Sequence, residues 1–379
     1  MLRCTKCVMD ASDIDIVFDH AGVCSHCRKA EALLTTVHFT PQESEYRIAA
    51  IRDRIKAAGR GNTYDSVIGL SGGVDSSFVA YVAHRLGLRP LAVHFDNGWN
   101  SETAVTNIAK IVEKCGFDLI TYVINWPEFR DLQRSMLKAS VIDIEIVTDH
   151  AITATVFQIA RQYGIKTILL GTNIATEHSM PSSWLWHKQD LRNIKAIHRQ
   201  YGELDLHSYP MLNTWNYLYY LYGRGFECVD LLNNLNYSKT DAVEILEREF
   251  DWQYYGGKHY ESVFTKFYQA YLLPIKFGID KRKAHFSDLI RNGELTRDVA
   301  LSEISKPLYS DDDLQVEKRY VLKKLGFSET EFAHIMAAPL RLHSEFATDA
   351  PFVNMLRSVK ASVKRARPLL RQLRAAIQS

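Results

Sequence analysis

The stretch "GLSGGVDSS" (69–77) passes from an apolar run into Ser71, Gly72, Gly73, Asp75, Ser76 and Ser77. Helix N-termini offer unpaired N–H groups and the positive end of a dipole, so an anion placed there is held by the backbone itself. The two glycines allow close approach, and the serine hydroxyls add donors. A Walker-type loop would end in Gly-Lys-Ser/Thr, and the lysine is missing here. Asp75 would repel phosphate unless a cation lay between them, so these residue types ask for magnesium shared with a pyrophosphate. A second constellation lies at the start of the chain. Cys4, Cys7, Cys24 and Cys27 form C-x2-C-x16-C-x2-C, a spacing that closes a tetrahedral thiolate shell around a structural zinc with no open position for chemistry. His20 and His26 stand beside the pairs as possible substitutes, although four thiolates suffice.

These groups need a scaffold. "SVIGL" (66–70), "PLAVHF" (90–95), "LITYVI" (119–124) and "KTILLG" (166–171) are short apolar runs suited to a parallel sheet covered on both faces. Helices are expected between them. Ile108, Ile111, Val112 and Cys115 follow an i, i+3, i+4, i+7 stripe facing the sheet, and a later helix with Ile152, Val156, Ile159 and Tyr163 is expected to start at Asp149 as its N-cap. This is a doubly wound α/β domain, whose ligands bind outside the carboxyl ends of the strands. Ahead of it "FTPQESEYRIAAIRDRIKAAGRGNTYD" reads as a helical connector. Beyond residue 176 aromatic, histidine and basic residues crowd "MPSSWLWHKQD", "YGGKHYES" and "LPIKFGIDKRKAH", as in a mostly helical substrate-binding portion. The expected division is 1–35 zinc module, 36–178 nucleotide domain, 179–310 substrate-binding portion and 311–379 helical tail. The tail's end carries Arg357, Lys360, Lys364, Arg365, Arg367, Arg371 and Arg374, read as a solvated face in preference to a dock for a partner or an anionic membrane.

Composition narrows the class. The 379 residues are 46% hydrophobic and 24% charged, the balance of a globular protein. Lysine plus arginine number 46 against 44 acids, so the overall charge does not suggest a nucleic-acid partner. "MLRCTKCVMD" has no apolar run of a secretory signal, and "WNYLYYLYG" (215–223) is too short and too rich in tyrosine to cross a bilayer, so a cytoplasmic protein without an integral membrane segment is expected.

"SGGVDSS" matches the SGGxDS signature of the PP-loop ATP pyrophosphatases, which include NAD synthetase, GMP synthetase, asparagine synthetase and the tRNA thiolation enzymes. The resemblance implies that ATP, as cosubstrate, is cleaved between its α and β phosphates, the loop holding the departing pyrophosphate while AMP goes to an oxygen of the acceptor. "GTNIATE" (171–177) is similar to the G-T-x-x-x-x-E stretch of NAD synthetase, which makes Glu177 a magnesium ligand beside Asp75 and assigns Gly171 and Thr172 to the ATP site. "VHFDNGW" corresponds to the place where that family receives adenine, so His94, Phe95 and Asp96 are expected to border the base. Taken with the cysteine module, "GTNIATEH", "YGGKHYES" and "KFGIDKRKAHFSDLI", the chain resembles the N-acetyl sugar amidotransferases of bacterial surface-polysaccharide synthesis over nearly its whole length. That resemblance implies conversion of an acetamido to an acetamidino group on a nucleotide-linked N-acetyl sugar, either a diacetamido uronic acid or a sialic-acid-like sugar, with ammonia from a separate glutaminase subunit.

The chemistry makes demands on the residues. Adenylation of the amide oxygen gives an O-adenylyl imidate that ammonia can attack. Cations opposite the loop would stabilise the leaving pyrophosphate, and Lys276, Lys281 and Arg282 are expected to form that cluster with His285. Lys258, His259 and Glu261 have the types for positioning or proton transfer. Position 2 is leucine, not cysteine, while Cys115 and Cys228 sit in apolar segments, so an outside source of ammonia and a docking surface for it are expected. Oligomerisation is compatible with all of this. Two rivals remain: a tRNA thiolation enzyme, which needs a sulfur-carrying thiol and a basic surface, and a non-catalytic nucleotide-binding zinc scaffold.

Overall fold

A computed structural model describes residues 2–257, 260–356 and 358. Five parallel strands form one sheet: β1 (Ser66–Gly69), β2 (Pro90–Asp96), β3 (Leu119–Val123), β4 (Thr167–Leu170) and β5 (Glu227–Asp230), in the order β3-β2-β1-β4-β5. The register sets Ser66 opposite Pro90, Val67 opposite Ile168 and Thr167 opposite Glu227. The four expected strands form where the apolar runs lie. The fifth was not foreseen, because "ECVD" has only two apolar residues between acids and pairs along one edge of the sheet. Its strand comes from within 179–310, so the sheet draws on chain beyond residue 178.

Alternation along the strands gives the sheet two apolar faces. Ile68, Leu70, Ala92, Leu169 and Val229 pack beneath the helices Val74–Arg85, Glu102–Cys115 and Lys239–Phe250, joined by the connector helix Pro41–Ala58. Val67, Leu91, Val93 and Ile168 face the helix Ile146–Gln162. That helix begins one turn before the expected start: Glu145 is its N-cap, and Asp149 lies inside its first turn. Of the expected stripe Val156 and Ile159 are buried, while Ile152 and Tyr163 are 36% and 42% exposed, because the buried side is centred on Ala151, Ala154, Phe157 and Ala160. Cys115 is a core residue, as its stripe predicts.

The chain runs from β1 outward to β2 and β3, then returns to place β4 on the other side of β1. A crevice therefore opens at the carboxyl ends of β1 and β4, where the strand order reverses. The remaining chain is mostly helical and shares a large apolar core with the cysteine module, from Met9 through Phe264, Phe267 and Tyr268 to Leu325 and Phe332. The tail forms helices Asp311–Leu325 and Glu329–Ala337, while Arg357 and its basic residues from 360 onward lie outside the described residues.

Candidate active site

After β1 the backbone enters the left-handed region at Gly72 (φ 80°), and Gly73 is the N-cap of helix Val74–Arg85. A Cβ on Gly72 would stand 2.5 Å from the carbonyl oxygen of Ala104, so two backbones touch where only glycine fits. Trp252 Nε1 pins the Gly72 carbonyl at 3.1 Å. The serines shape the turn: Gly73 N donates to Ser71 Oγ (3.2 Å), Ser71 N donates to Ser76 Oγ (3.3 Å), and Ser76 Oγ donates to the Gly73 carbonyl (3.2 Å). Ser77 Oγ is buried with no hydrogen-bond partner among the described residues. Asp75 turns toward the segment after β4, where its Oδ1 accepts from Tyr237 Oη (2.5 Å) and Asn173 Nδ2 (3.3 Å). Burial, then the Asp75 carboxylate hydrogen-bonded to it and, more weakly, the charges of Glu177 and Glu294 push the Tyr237 phenol well above its usual range. Asp75 in the first turn of a helix and Glu177 on the cavity wall are carboxylates of the kind that hold magnesium with phosphate oxygens.

In front of the loop lies a cavity of about 510 Å³. Gly69 to Ser71, His94 and Phe95 line it from the sheet, Glu177 and Lys188 from the segment after β4, and Glu261, Lys281 and His285 from the C-terminal part. Phe95 and Tyr122 stack with ring planes 5° apart, and His94 sits between the Leu70 carbonyl (3.0 Å) and Asn100 Nδ2 (3.1 Å). The cavity's far wall is the start of helix Ile146–Gln162, which brings Asp143, Glu145 and Asp149 together. Lys188 Nζ bonds Asp143 (2.7 Å) and Asp149 (2.9 Å). Burial works against the Lys188 charge, but those two carboxylates outweigh it and hold the ammonium. Burial lowers Lys281, which is opposed by Asp143 and Glu145, and its ammonium lies 5.4 Å from the centre of the Tyr268 ring. Glu145 accepts from Thr265 Oγ1 (2.8 Å), and burial, reinforced by Asp149, pushes its carboxyl up to about 7.

Several expected roles are corrected. Lys276 donates to the carbonyls of Ile335 (2.6 Å), Met336 and Ala338, closing the end of helix Glu329–Ala337 and not facing the loop. Arg282 is held by Asp280 (2.8 Å) and by the carbonyls of Glu303, Ile304 and Lys306. Of the expected cation cluster only Lys281 and His285 reach the cavity, because positions four apart share a helix face and Arg282 points away from it. Thr172 gives its hydroxyl to Asp230 at the end of β5, a clasp between neighbouring strands. Asp96 accepts from Gly98 N (2.8 Å) and Asn100 Nδ2 and shapes the turn after β2, while His94 and Phe95 line the cavity. Gly171 packs against Asp75, a Cβ there meeting its backbone at 3.3 Å. Lys258 and His259 lie outside the described residues. Lys188, Asp143, Glu145 and Tyr237 were missed. The only local signal was "DIEIVTD" (143–149), three acids in an apolar setting.

The four cysteines are buried, and their Sγ atoms all lie within 4.8 Å of one another. Cys4 to Cys27 is 3.8 Å and Cys7 to Cys24 is 3.7 Å. Tetrahedral Zn–S bonds of about 2.3 Å require sulfur separations of about 3.8 Å, so the cage has the dimensions of zinc. Backbone N–H groups of Lys6, Cys7 and Cys24 donate to Cys4 Sγ, as is usual around thiolates. His26 is no ligand, since its Nε2 pairs with Asp13 at 2.7 Å. Burial pushes the Cys115 thiol up to about 12 and the Cys228 thiol up to about 11, which suits neither to nucleophilic work.

Comparison with known proteins yields two family matches. Residues 44–186 match NAD synthase, and residues 261–360 match "LPS biosynthesis protein WbpG-like, C-terminal domain". No curated protein matches the chain. Among solved structures it is similar to NMN synthetase from Francisella tularensis, at 16% identity over 58% of this chain and 90% of that one, with a TM-score of 0.31. It is also similar to the NH3-dependent NAD synthetase from Campylobacter jejuni, at 14% identity over 55% of this chain and 85% of that one, with a TM-score of 0.30. A third similar structure is NAD+ synthetase from Burkholderia pseudomallei, at 17% identity over 60% of this chain and 95% of that one, with a TM-score of 0.30.

Proposed function

We propose, from the premise that this chain is a member of the PP-loop ATP pyrophosphatase superfamily with a WbpG-like C-terminal domain, that it is an ATP-dependent, AMP-forming amidotransferase of lipopolysaccharide O-antigen or other surface-glycan synthesis. Its acceptor is the N-acetyl group of a nucleotide-linked sugar, which becomes an acetamidino group. The observation that carries this reading is the shared cavity. One wall holds Gly69 to Ser71, where β1 enters the phosphate loop of the NAD synthase-like part, and the opposite wall, with Glu261, Thr265, Lys281 and His285, belongs to the WbpG-like part.

The amide oxygen attacks the α phosphorus of ATP, the bond to the bridging oxygen breaks, and pyrophosphate leaves. Ammonia then adds to the imidate carbon and AMP departs with the former amide oxygen, so NH replaces O in the sugar. Magnesium held by Asp75 and Glu177 would supply charge neutralisation for the pyrophosphate. The amides at the start of helix Val74–Arg85 and the Ser71 hydroxyl orient the phosphates, and Lys281 provides positive charge across the cavity, with Lys188 held beside it by Asp143 and Asp149. Ammonia from a separate glutaminase subunit arrives as ammonium and must lose a proton before it can attack. Glu145 is suited to take it, since burial, reinforced by Asp149 and opposed by Lys281 and Lys188, pushes its carboxyl up to about 7.

Two measurements test the reading. Protein incubated with ATP, ammonium and a UDP-linked diacetamido sugar is expected to release AMP and pyrophosphate in step with a sugar in which NH has replaced O. Formation of ADP, or AMP without change in the sugar, rejects it. The rate at constant ammonium concentration is expected to rise with pH and level off above about 7, because Glu145 accepts a proton only above its raised pKa, whereas attack by free ammonia alone would keep rising. Glu145→Gln is expected to lose that plateau and about 10²–10⁴-fold in rate. A variant that keeps the plateau removes Glu145 from the mechanism.

A further inference from the structure

We infer that Arg291 is a positioning residue that ties the four-cysteine centre to the segment carrying Glu177, so that a filled cysteine site keeps the nucleotide site in order. Arg291 ends the helix Arg282–Arg291, and its side chain is only 7% exposed. One edge of its guanidinium faces the cysteines, with Nη2 3.1 Å from Cys7 Sγ and Nε 3.3 Å from Cys27 Sγ. The other edge reaches the chain just past Glu177: Nη1 donates to Ser179 Oγ and to Asp288 Oδ1 (3.1 Å). Asp288 in turn accepts from Ser179 N (3.2 Å) and stands 3.3 Å from His178 Nε2. Sulfurs, guanidinium, Asp288, Ser179 and His178 thus form one buried polar chain that ends at the residue next to Glu177.

The physics favours a coupled element over two independent ones. Four thiolates around a divalent ion carry net negative charge, which in a buried setting needs a cation with fixed geometry. Guanidinium meets that need with a planar fork, and the same plane then fixes the opposite edge on Ser179 and Asp288. The module is also docked on this helix by Lys283 to Asp10 (2.7 Å) and Ser287 Oγ to Val8 N (3.2 Å), and the opposite end of the helix offers Lys281 and His285 to the cavity. Loss of the metal would free the four sulfurs from their fixed cage, and with it the set of partners that orients Arg291. The short helix Ile174–Glu177, packed on Arg282–Arg291, would lose its anchor.

Amide hydrogen exchange of residues 172–180 reads the coupling directly. Arg291→Lys keeps the positive charge and loses the fork. It is expected to retain stoichiometric zinc while exchange in 172–180 accelerates at least ~10-fold. The half-saturating magnesium concentration for AMP formation is expected to rise at least ~5-fold, with the KM for the acceptor sugar unmoved. Zinc extraction from the wild-type protein by a chelator is expected to give the same exchange pattern, which keeps the test available should the variant fold poorly. Unchanged exchange at 172–180 in either sample overturns the inference. The magnesium arm rests on the proposed role of Glu177, and Glu177→Gln separates the two. If that variant leaves the magnesium requirement unmoved, the metal reading fails and the exchange arm still decides the coupling.

Discussion

Asp75→Asn is expected to reduce AMP formation by about 10²–10³-fold while leaving the fold intact. The side chain sits in the first turn of helix Val74–Arg85 and accepts from Tyr237 and Asn173 through Oδ1, an arrangement that an amide oxygen can reproduce. What the amide removes is the negative charge held beside the Tyr237 hydroxyl at the start of the helix. Thermal unfolding should therefore stay close to that of the wild type, and the loss should appear in turnover at saturating ATP and in the magnesium dependence. A variant with more than about a tenth of wild-type turnover would remove Asp75 from the metal site.

The second large effect is expected from Gly72→Ala. A non-glycine residue in the left-handed region costs about 1–2 kcal/mol, but strain is the smaller part. The new Cβ would lie 2.5 Å from the Ala104 carbonyl oxygen and 2.9 Å from its Cα, and neither is the end of a flexible side chain. Relief requires the loop to move away from helix Glu102–Cys115, against the Trp252 bond that pins the Gly72 carbonyl. ATP affinity, measured by calorimetry, is expected to fall ~100-fold as the serine-lined turn opens. Gly61→Ala is the control. Gly61 also has positive φ (83°), but a Cβ there meets nothing within 4 Å, so backbone strain is present without the clash. That variant should bind ATP like the wild type. Equal losses in both would mean that strain, not close approach, explains the glycine at position 72.

Legibility in the sequence followed the range of the forces involved. The first four strands were readable because each is a short apolar run, buried on both faces in β1, β2 and β4 and half-exposed at the edge strand β3, whereas β5 carries acids at both ends and is recognised only through its pairing with β4. The phosphate loop and the cysteine cage were readable because their chemistry is set by spacing within a few residues of backbone. The cation cluster was not. Lys276, Lys281 and Arg282 are neighbours in sequence, yet one closes a helix end, one enters the cavity and one binds three carbonyls of another helix. A long flexible side chain gives no local hint of which carbonyl or carboxylate it will meet.

The sequence by itself determined the phosphate turn, the four-thiolate shell, the inner strands and the superfamily, since each depends on residue types at short fixed separations. Only the tertiary structure decided which charges share the cavity. Asp143, Glu145, Lys188 and Lys281 meet there because helix Ile146–Gln162, the segment after β4 and the start of helix Arg282–Arg291 converge on the carboxyl ends of β1 and β4. The raised carboxyl of Glu145 and the retained charge of Lys188 are products of that convergence, since burial and neighbouring charge arise only when distant parts of the chain exclude water together.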